Sequence, residues 1–196
     1  MTRIGLIRHG LTDWNKERKA QGQTDIPLNE TGKEQAQLLA KRFVEGEWDL
    51  VVSSHLTRAY DTADAVAKKL NLPIITDERL QERSFGKMEG TTEAERIRLW
   101  GESWRDLDLG VETDEVVQQR SIECVEEFCN LHHVERILFV SHGATLNQLI
   151  KGLLRDPSFD QGFGNTAVSL FDKNEDYWNC TVLNCTKHLE DQIQTN

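Results

Sequence analysis

Twice in this chain an apolar run too short for a helix ends in a histidine followed by a glycine. Ile4-Gly5-Leu6-Ile7 leads into Arg8-His9-Gly10, and Ile137-Leu138-Phe139-Val140 leads into Ser141-His142-Gly143. Runs of this length, broken by glycine, read as buried strands. A third run, Leu50-Val51-Val52, passes through Ser53 and Ser54 to Arg58 at the start of a predicted helix. If the three strands lie side by side and parallel, Arg8, His9, Arg58 and His142 meet at the carboxyl end of one sheet, where open α/β sheets bind ligands. Two imidazoles and two guanidiniums in one crevice suit a phosphate.

Helical patterns separate the strands. One opens around Asn29 to Gln35, with Thr31 and Glu34 in capping-box spacing and Ala36, Leu39, Ala40 and Phe43 as its apolar stripe. After a strand from Trp48 to Ser53, the spacing predicts a helix over Thr57–Leu70, so Arg58 falls in its first turn. The helix dipole disfavours a cation there unless an anion sits beside it, which argues for bound phosphate. Leu72 to Thr76 reads as an edge strand because of Pro73. Further helices are predicted over Thr92–Trp104, Asp114–Leu131, with His132-His133 as favourable charge at its end, and Ala144–Leu154. A terminal strand pair, Asn165 to Phe171 and Trp178 to Leu183, surrounds an acidic turn. Strands alternating with helices give a mostly parallel sheet covered on both faces. The expected fold is a three-layer α/β/α sandwich with one antiparallel strand, a single domain over residues 1–196 whose end, 189–196, is a loose tail.

A net charge of −10 repels nucleic acid and anionic membrane surfaces, so neither is expected as a partner, and the crevice arginines must reverse that sign locally. No apolar run is long enough to span a bilayer and no leader pattern opens the chain, so a cytoplasmic protein is expected. Cys124, Cys129, Cys180 and Cys185 form two pairs of equal spacing, wider than a zinc Cys-x-x-Cys, and read as buried reduced thiols. No metal-ligand spacing is evident, and no cofactor is expected.

Arg8-His9-Gly10 with Thr12-x-Trp14-Asn15, then Ser53-Ser54-x-Leu56-x-Arg58-Ala59-x-x-Thr62-Ala63, Glu82 with Gly86 and Glu89-Gly90, and finally Ser141-His142-Gly143 together resemble the histidine phosphatase superfamily. This is the phosphoglycerate mutase-like group, and the resemblance runs from residue 3 to about residue 172. It implies that His9 is a nucleophile that becomes phosphohistidine. It further implies that Arg8 and Arg58 clamp the phosphoryl oxygens, with Asn15, His142 and Gly143 completing the phosphate site, His142 as the imidazolium. Glu82 is the matching general acid and base. Gln21 and Gln23 stand in the loop that lines the mouth of the site in relatives and are candidates for substrate contact. Arg83 by itself reads as a surface or salt-bridging residue, but the Glu82-Arg83-x-x-Gly86 context resembles cofactor-dependent mutases, whose matching arginine contacts a substrate carboxylate, although Phe85 replaces their usual tyrosine.

The expected activity is metal-independent hydrolysis of small phosphate monoesters. Mutases carry a longer, basic insertion after the position of Glu89-Gly90, whereas here only Thr91 to Glu112 intervene and Leu107 to Glu112 is acidic. A short lid implies an open site that admits water. Two alternatives stand beside this reading: a cofactor-dependent phosphoglycerate mutase, and a catalytically silent phosphate-binding module.

Overall fold

The computed structural model describes residues 2–131, 134–175 and 177–190; His132-His133 and the tail residues 191–196 lie outside them. Six strands form one sheet: β1 (Arg3–Arg8), β2 (Leu50–Ser53), β3 (Ile74–Thr76), β4 (Arg136–Ser141), β5 (Val168–Lys173) and β6 (Trp178–Cys185). Their order is β3-β2-β4-β1-β5-β6. β3, β2, β4 and β1 are parallel, β5 is antiparallel to β1, and β6 is antiparallel to β5, so β5 alone runs against the rest. The helices are α1 (Asp13–Lys16), α2 (Glu30–Lys41), α3 (Thr57–Leu70), α4 (Glu93–Trp100), α5 (Asp114–Cys129) and α6 (Gly143–Leu154).

The apolar strands are continuous because both faces of the sheet are covered. Ile4, Leu6, Val52, Ile137 and Phe139 pack into one core with Val125 and Phe128 of α5 and Leu146 and Leu149 of α6. Their neighbours Ile7, Val51, Leu138 and Val140 point the other way, into a core with Leu39 of α2 and Ala63 and Val66 of α3. This period-two division between two helical layers is the three-layer sandwich. Register then aligns the strand ends. Arg8 lies opposite Ser141, and Ser53 opposite Val140. The His9 amide donates to the Ser141 carbonyl at 3.0 Å and the Ser54 amide to the Val140 carbonyl at 2.9 Å, so three strands release their next residues at one level.

Several local expectations are corrected. The α2 cap is Asn29, whose side chain accepts from the Gly32 amide, so Thr31 lies inside the helix rather than capping it. Capping boxes form instead at Thr12 with Asn15 and at Thr92 with Glu95. The helix expected to reach Trp104 ends at Trp100, and Trp104 sits in a separate 3₁₀ turn, buried between the Arg96 and Arg105 guanidiniums at 5.2 and 4.3 Å from its ring centre. Asn165 to Ala167 precede β5 as a strap instead of belonging to it. Of the tail, Leu189 is tied by its amide to the Thr186 carbonyl. All four cysteines are free, but only Cys124 is buried; Cys129, Cys180 and Cys185 are half-exposed. Among the described residues no helix is long and apolar enough to cross a membrane.

Candidate active site

His9 leaves the end of β1 and is 2 % exposed. Its Nδ1 lies 2.7 Å from the carbonyl of Gly10, an acceptor only, so Nδ1 carries the proton and Nε2 keeps its lone pair. Gly10 is required by close approach: a Cβ there would sit 2.6 Å from the Gly32 carbonyl oxygen in α2. Its amide donates to Thr62 Oγ1 at 3.0 Å, which fastens the strand end to α3. The imidazole of His142, at the amino end of α6 and fully buried, faces His9 with ring centres 5.2 Å apart and planes inclined by 55°. His142 Nε2 is 2.8 Å from Ser54 Oγ.

Arg58 is also fully buried. It donates through Nη1 to the Thr24 carbonyl at 2.9 Å and through Nη2 to that of Gly22 at 2.7 Å. The loop presenting those carbonyls is itself clamped. Glu89 accepts the Gln23 amide at 3.1 Å on Oε1, and the Thr24 amide at 3.0 Å and hydroxyl at 2.6 Å on Oε2. Gly22, at φ +52°, lets the chain pass there, because a Cβ would fall 2.0 Å from Glu89 Oε1. The anion that the α3 terminus needs beside Arg58 is part of the protein. Asp25 accepts the Thr57 amide at 2.8 Å and hydroxyl at 2.7 Å, which replaces the argument from helix charge for bound phosphate.

Arg8 is half-buried and donates through Nη1 to the Phe163 carbonyl, and Gly143, at the start of α6, lies against its guanidinium. Glu82 is 8 % exposed and seated on the first turn of α6. Its Oε1 accepts the Arg83 amide at 2.8 Å, the Thr145 amide at 3.0 Å and the Thr145 hydroxyl at 3.1 Å, while among the described residues Oε2 accepts only the Ala144 amide, at 3.2 Å. Its charge acts on both Arg8 and Arg58, so the carboxylate belongs to the same cluster.

Burial and the two guanidiniums shape the titration of this cluster. Burial foremost, then Arg8 and Arg58, holds the His9 pKa well below 6.5. Burial, then Arg58, His9 and Arg8, does the same to His142. These shifts favour a neutral ring at His142 in the free protein. Burial lowers Arg58 to about 10, still a cation at neutral pH. Three buried nitrogens, Arg8 Nε, Arg58 Nε and His142 Nδ1, have no hydrogen-bond partner among the described residues. Leaving such donors unpaired is costly, and anionic oxygens would satisfy them. His9, His142 and Glu82 are all almost completely buried.

The remaining predicted residues divide. Asn15 Oδ1 receives the Thr12 amide at 3.2 Å and Asn165 Nδ2 at 3.3 Å, bonds that do not use its own Nδ2. Gln21 is buried, its Oε1 accepting from Thr12 Oγ1 at 2.9 Å, while Gln23 Nε2 reaches the Glu82 carbonyl at 3.3 Å. Both glutamines thus brace the loop. Arg83 donates Nε to the Glu112 carbonyl at 2.6 Å and pairs Nη1 with Asp114 at 2.6 Å. A substrate carboxylate at Arg83 would compete with Asp114 for the guanidinium. Ser54, Asp25, Glu89 and Asn165, which also donates to the His9 carbonyl at 3.1 Å, escaped the sequence reading as site residues. Only Ser54 and Glu89 carried a signal, as members of quoted motifs. Among the described residues no three His, Cys, Asp or Glu side chains are grouped to hold a metal ion.

Comparison with known proteins places this geometry. The model of the histidine phosphatase superfamily (branch 1) matches residues 4–186. The chain is 32 % identical to the uncharacterized phosphatase PhoE of Bacillus subtilis, over 99 % of this chain and 100 % of that protein. It is 33 % identical to the probable phosphoglycerate mutase GpmB of Escherichia coli, over 91 % of this chain and 88 % of the relative. Among solved structures, the mycobacterial glucosyl-3-phosphoglycerate phosphatase in complex with VO3 superposes with a TM-score of 0.86 at 30 % identity, covering 94 % of this chain and 100 % of that one.

Proposed function

Since the chain belongs to the histidine phosphatase superfamily, we propose that it hydrolyses small phosphate monoesters without a metal, through a phosphohistidine at His9. The observation that carries this reading is the bond from His9 Nδ1 to the Gly10 carbonyl, which leaves Nε2 unprotonated in the field of Arg8 and Arg58. In-line attack by Nε2 forms the P–N bond as the ester P–O bond breaks. Arg8, Arg58 and His142 supply donors to the non-bridging oxygens, which is the largest contribution proteins make to phosphoryl transfer. Glu82, when protonated on its less engaged Oε2, gives that proton to the departing alkoxide. The resulting carboxylate then takes a proton from water as its oxygen attacks phosphorus and the P–N bond breaks, which restores neutral His9 and releases phosphate.

Resemblance to GpmB favours the mutase as a second reading. The Arg83 guanidinium is held by the Glu112 carbonyl through Nε and by Asp114 through Nη1, which speaks against its reaching a substrate carboxylate.

Hydrolysis of p-nitrophenyl phosphate in excess chelator, comparing wild type with His9→Ala, tests the main reading. Metal-free turnover that disappears in the variant, with acid-labile phosphate trapped on the wild-type protein, is the expected result. Activity surviving in His9→Ala, or abolished by chelator, would overturn it. Coupled assays with and without 2,3-bisphosphoglycerate separate the mutase: cofactor-dependent interconversion of phosphoglycerates exceeding hydrolysis would favour that reading.

A further inference from the structure

Resting on the phosphatase reading, we propose that Ser54 is a positioning residue that fixes His142 in the tautomer opposite to that of His9. The inference follows from accounting for one hydroxyl proton. Ser54 Oγ accepts the Leu56 amide at 3.3 Å and lies 2.8 Å from His142 Nε2. Among the described residues the Ser54 hydroxyl has no hydrogen bond to any other acceptor. The hydroxyl hydrogen therefore goes to Nε2, which must be unprotonated to receive it. The ring's single proton is then on Nδ1, the buried atom without a hydrogen-bond partner among the described residues.

The two facing histidines thus present different chemistry from one residue type. His9 is held by a carbonyl and offers a lone pair; His142 is held by a hydroxyl and offers an N–H. With the tautomer of His142 reversed, Nδ1 would bring a lone pair toward phosphoryl oxygens and repel them. The Ser54 hydroxyl prevents this in a ring whose burial and cationic neighbours already disfavour carrying both protons. Ser54 acts through its bond to His142.

Long-range proton–nitrogen correlation spectra of histidine-labelled protein, with His142 assigned by its loss in His142→Asn, read the tautomer directly. Wild type is expected to show the proton of His142 on Nδ1, with that resonance shifting when inorganic phosphate is added. Ser54→Ala should give a mixture or the Nε2-protonated form, and lower kcat on p-nitrophenyl phosphate about ten- to a hundredfold with little change in KM, less than outright loss of an oxyanion donor. Ser54→Thr, which keeps the hydroxyl, should restore tautomer and rate. Ser53→Ala, which removes a hydroxyl from the same strand end, should leave the tautomer in place. A wild-type His142 protonated on Nε2, or a Ser54→Ala protein with unchanged tautomer and kcat, would overturn the proposal. Should Ser54→Ala not fold, the wild-type spectrum alone decides. Absence of turnover in wild type would defeat the phosphatase reading and leave the tautomer result standing on its own.

Discussion

His9 and His142 occupy matching positions after neighbouring strands, and their different partners give them different work. The same dependence on neighbours governs Glu82, whose carboxylate rests on the first turn of α6 with one oxygen lightly engaged. Glu82→Gln should slow phosphate release from an alkyl ester about 10²- to 10⁴-fold, and should slow p-nitrophenyl phosphate, whose phenolate leaves without a proton, considerably less. Equal losses on both esters would remove Glu82 from the role of acid. Cysteine reactivity is also decided by neighbours. Burial, with Asp77 nearby, pushes the Cys124 thiol far up. At Cys185 burial also raises the pKa, but the Lys187 amide and Arg42, whose Nη1 lies 3.2 Å from Sγ, outweigh it and lower the thiol. Under native conditions a thiol reagent should label Cys185 at least about tenfold faster than Cys124, as mass spectrometry of digests would show.

At the scale of elements, the loop before α2 functions as a brace for Arg58. Its carbonyls at Gly22 and Thr24 hold the guanidinium, and Glu89 holds the loop. Glu89→Ala should therefore weaken competitive inhibition by inorganic phosphate about tenfold or more and raise KM, with a smaller change in kcat, since the arginine remains but loses its fixed fork. An unchanged phosphate inhibition constant would show that the brace is dispensable. The first turn of α6 has a comparable task, because its amides at Ala144 and Thr145 seat Glu82 while His142 precedes them. One helix terminus thus sets the distance between Glu82 and His142.

For the whole molecule, burying two neutral histidines beside two cations links folding to pH. Both imidazoles have folded-state pKa values well below the unfolded value near 6.5, so below that pH the unfolded chain binds more protons. Their contribution to stability is complete above about pH 6.5 and is lost as pH falls through the folded-state values. The melting temperature should drop from pH 7 to pH 5, and replacing both histidines by asparagine should flatten that drop; an equal slope in the variant would count against it. Phosphate acts in the opposite sense. By binding only the folded cluster it should raise the melting temperature, with about 2.7 kcal/mol of stabilisation at a hundredfold excess over Kd. Arg58→Ala should abolish the increment, and its persistence would place the anion elsewhere.

The sequence by itself determined the fold class, the parallel strand trio and the residues Arg8, His9, Arg58 and His142 as one set, because strand length, helical period and the glycine breaks are local quantities; Glu82 joined them only through the family resemblance. Chain-local signals also set α3 to its observed bounds, Thr57–Leu70. Tertiary structure alone decided what those groups can do. Asp25 caps a helix 32 positions away, Glu89 clamps a loop 65 positions away, and Ser54 meets a histidine 88 positions away. Such contacts depend on strand register and loop path, which no spacing along the chain encodes. The sequence read Arg83 as a salt-bridging residue whose context also allowed a substrate carboxylate, and tertiary structure supplied its partner, Asp114, while burial beside Arg58 favours the neutral ring at His142. Residue type supplied the chemistry available, and the low-dielectric packing of distant segments selected the proton and charge each group carries.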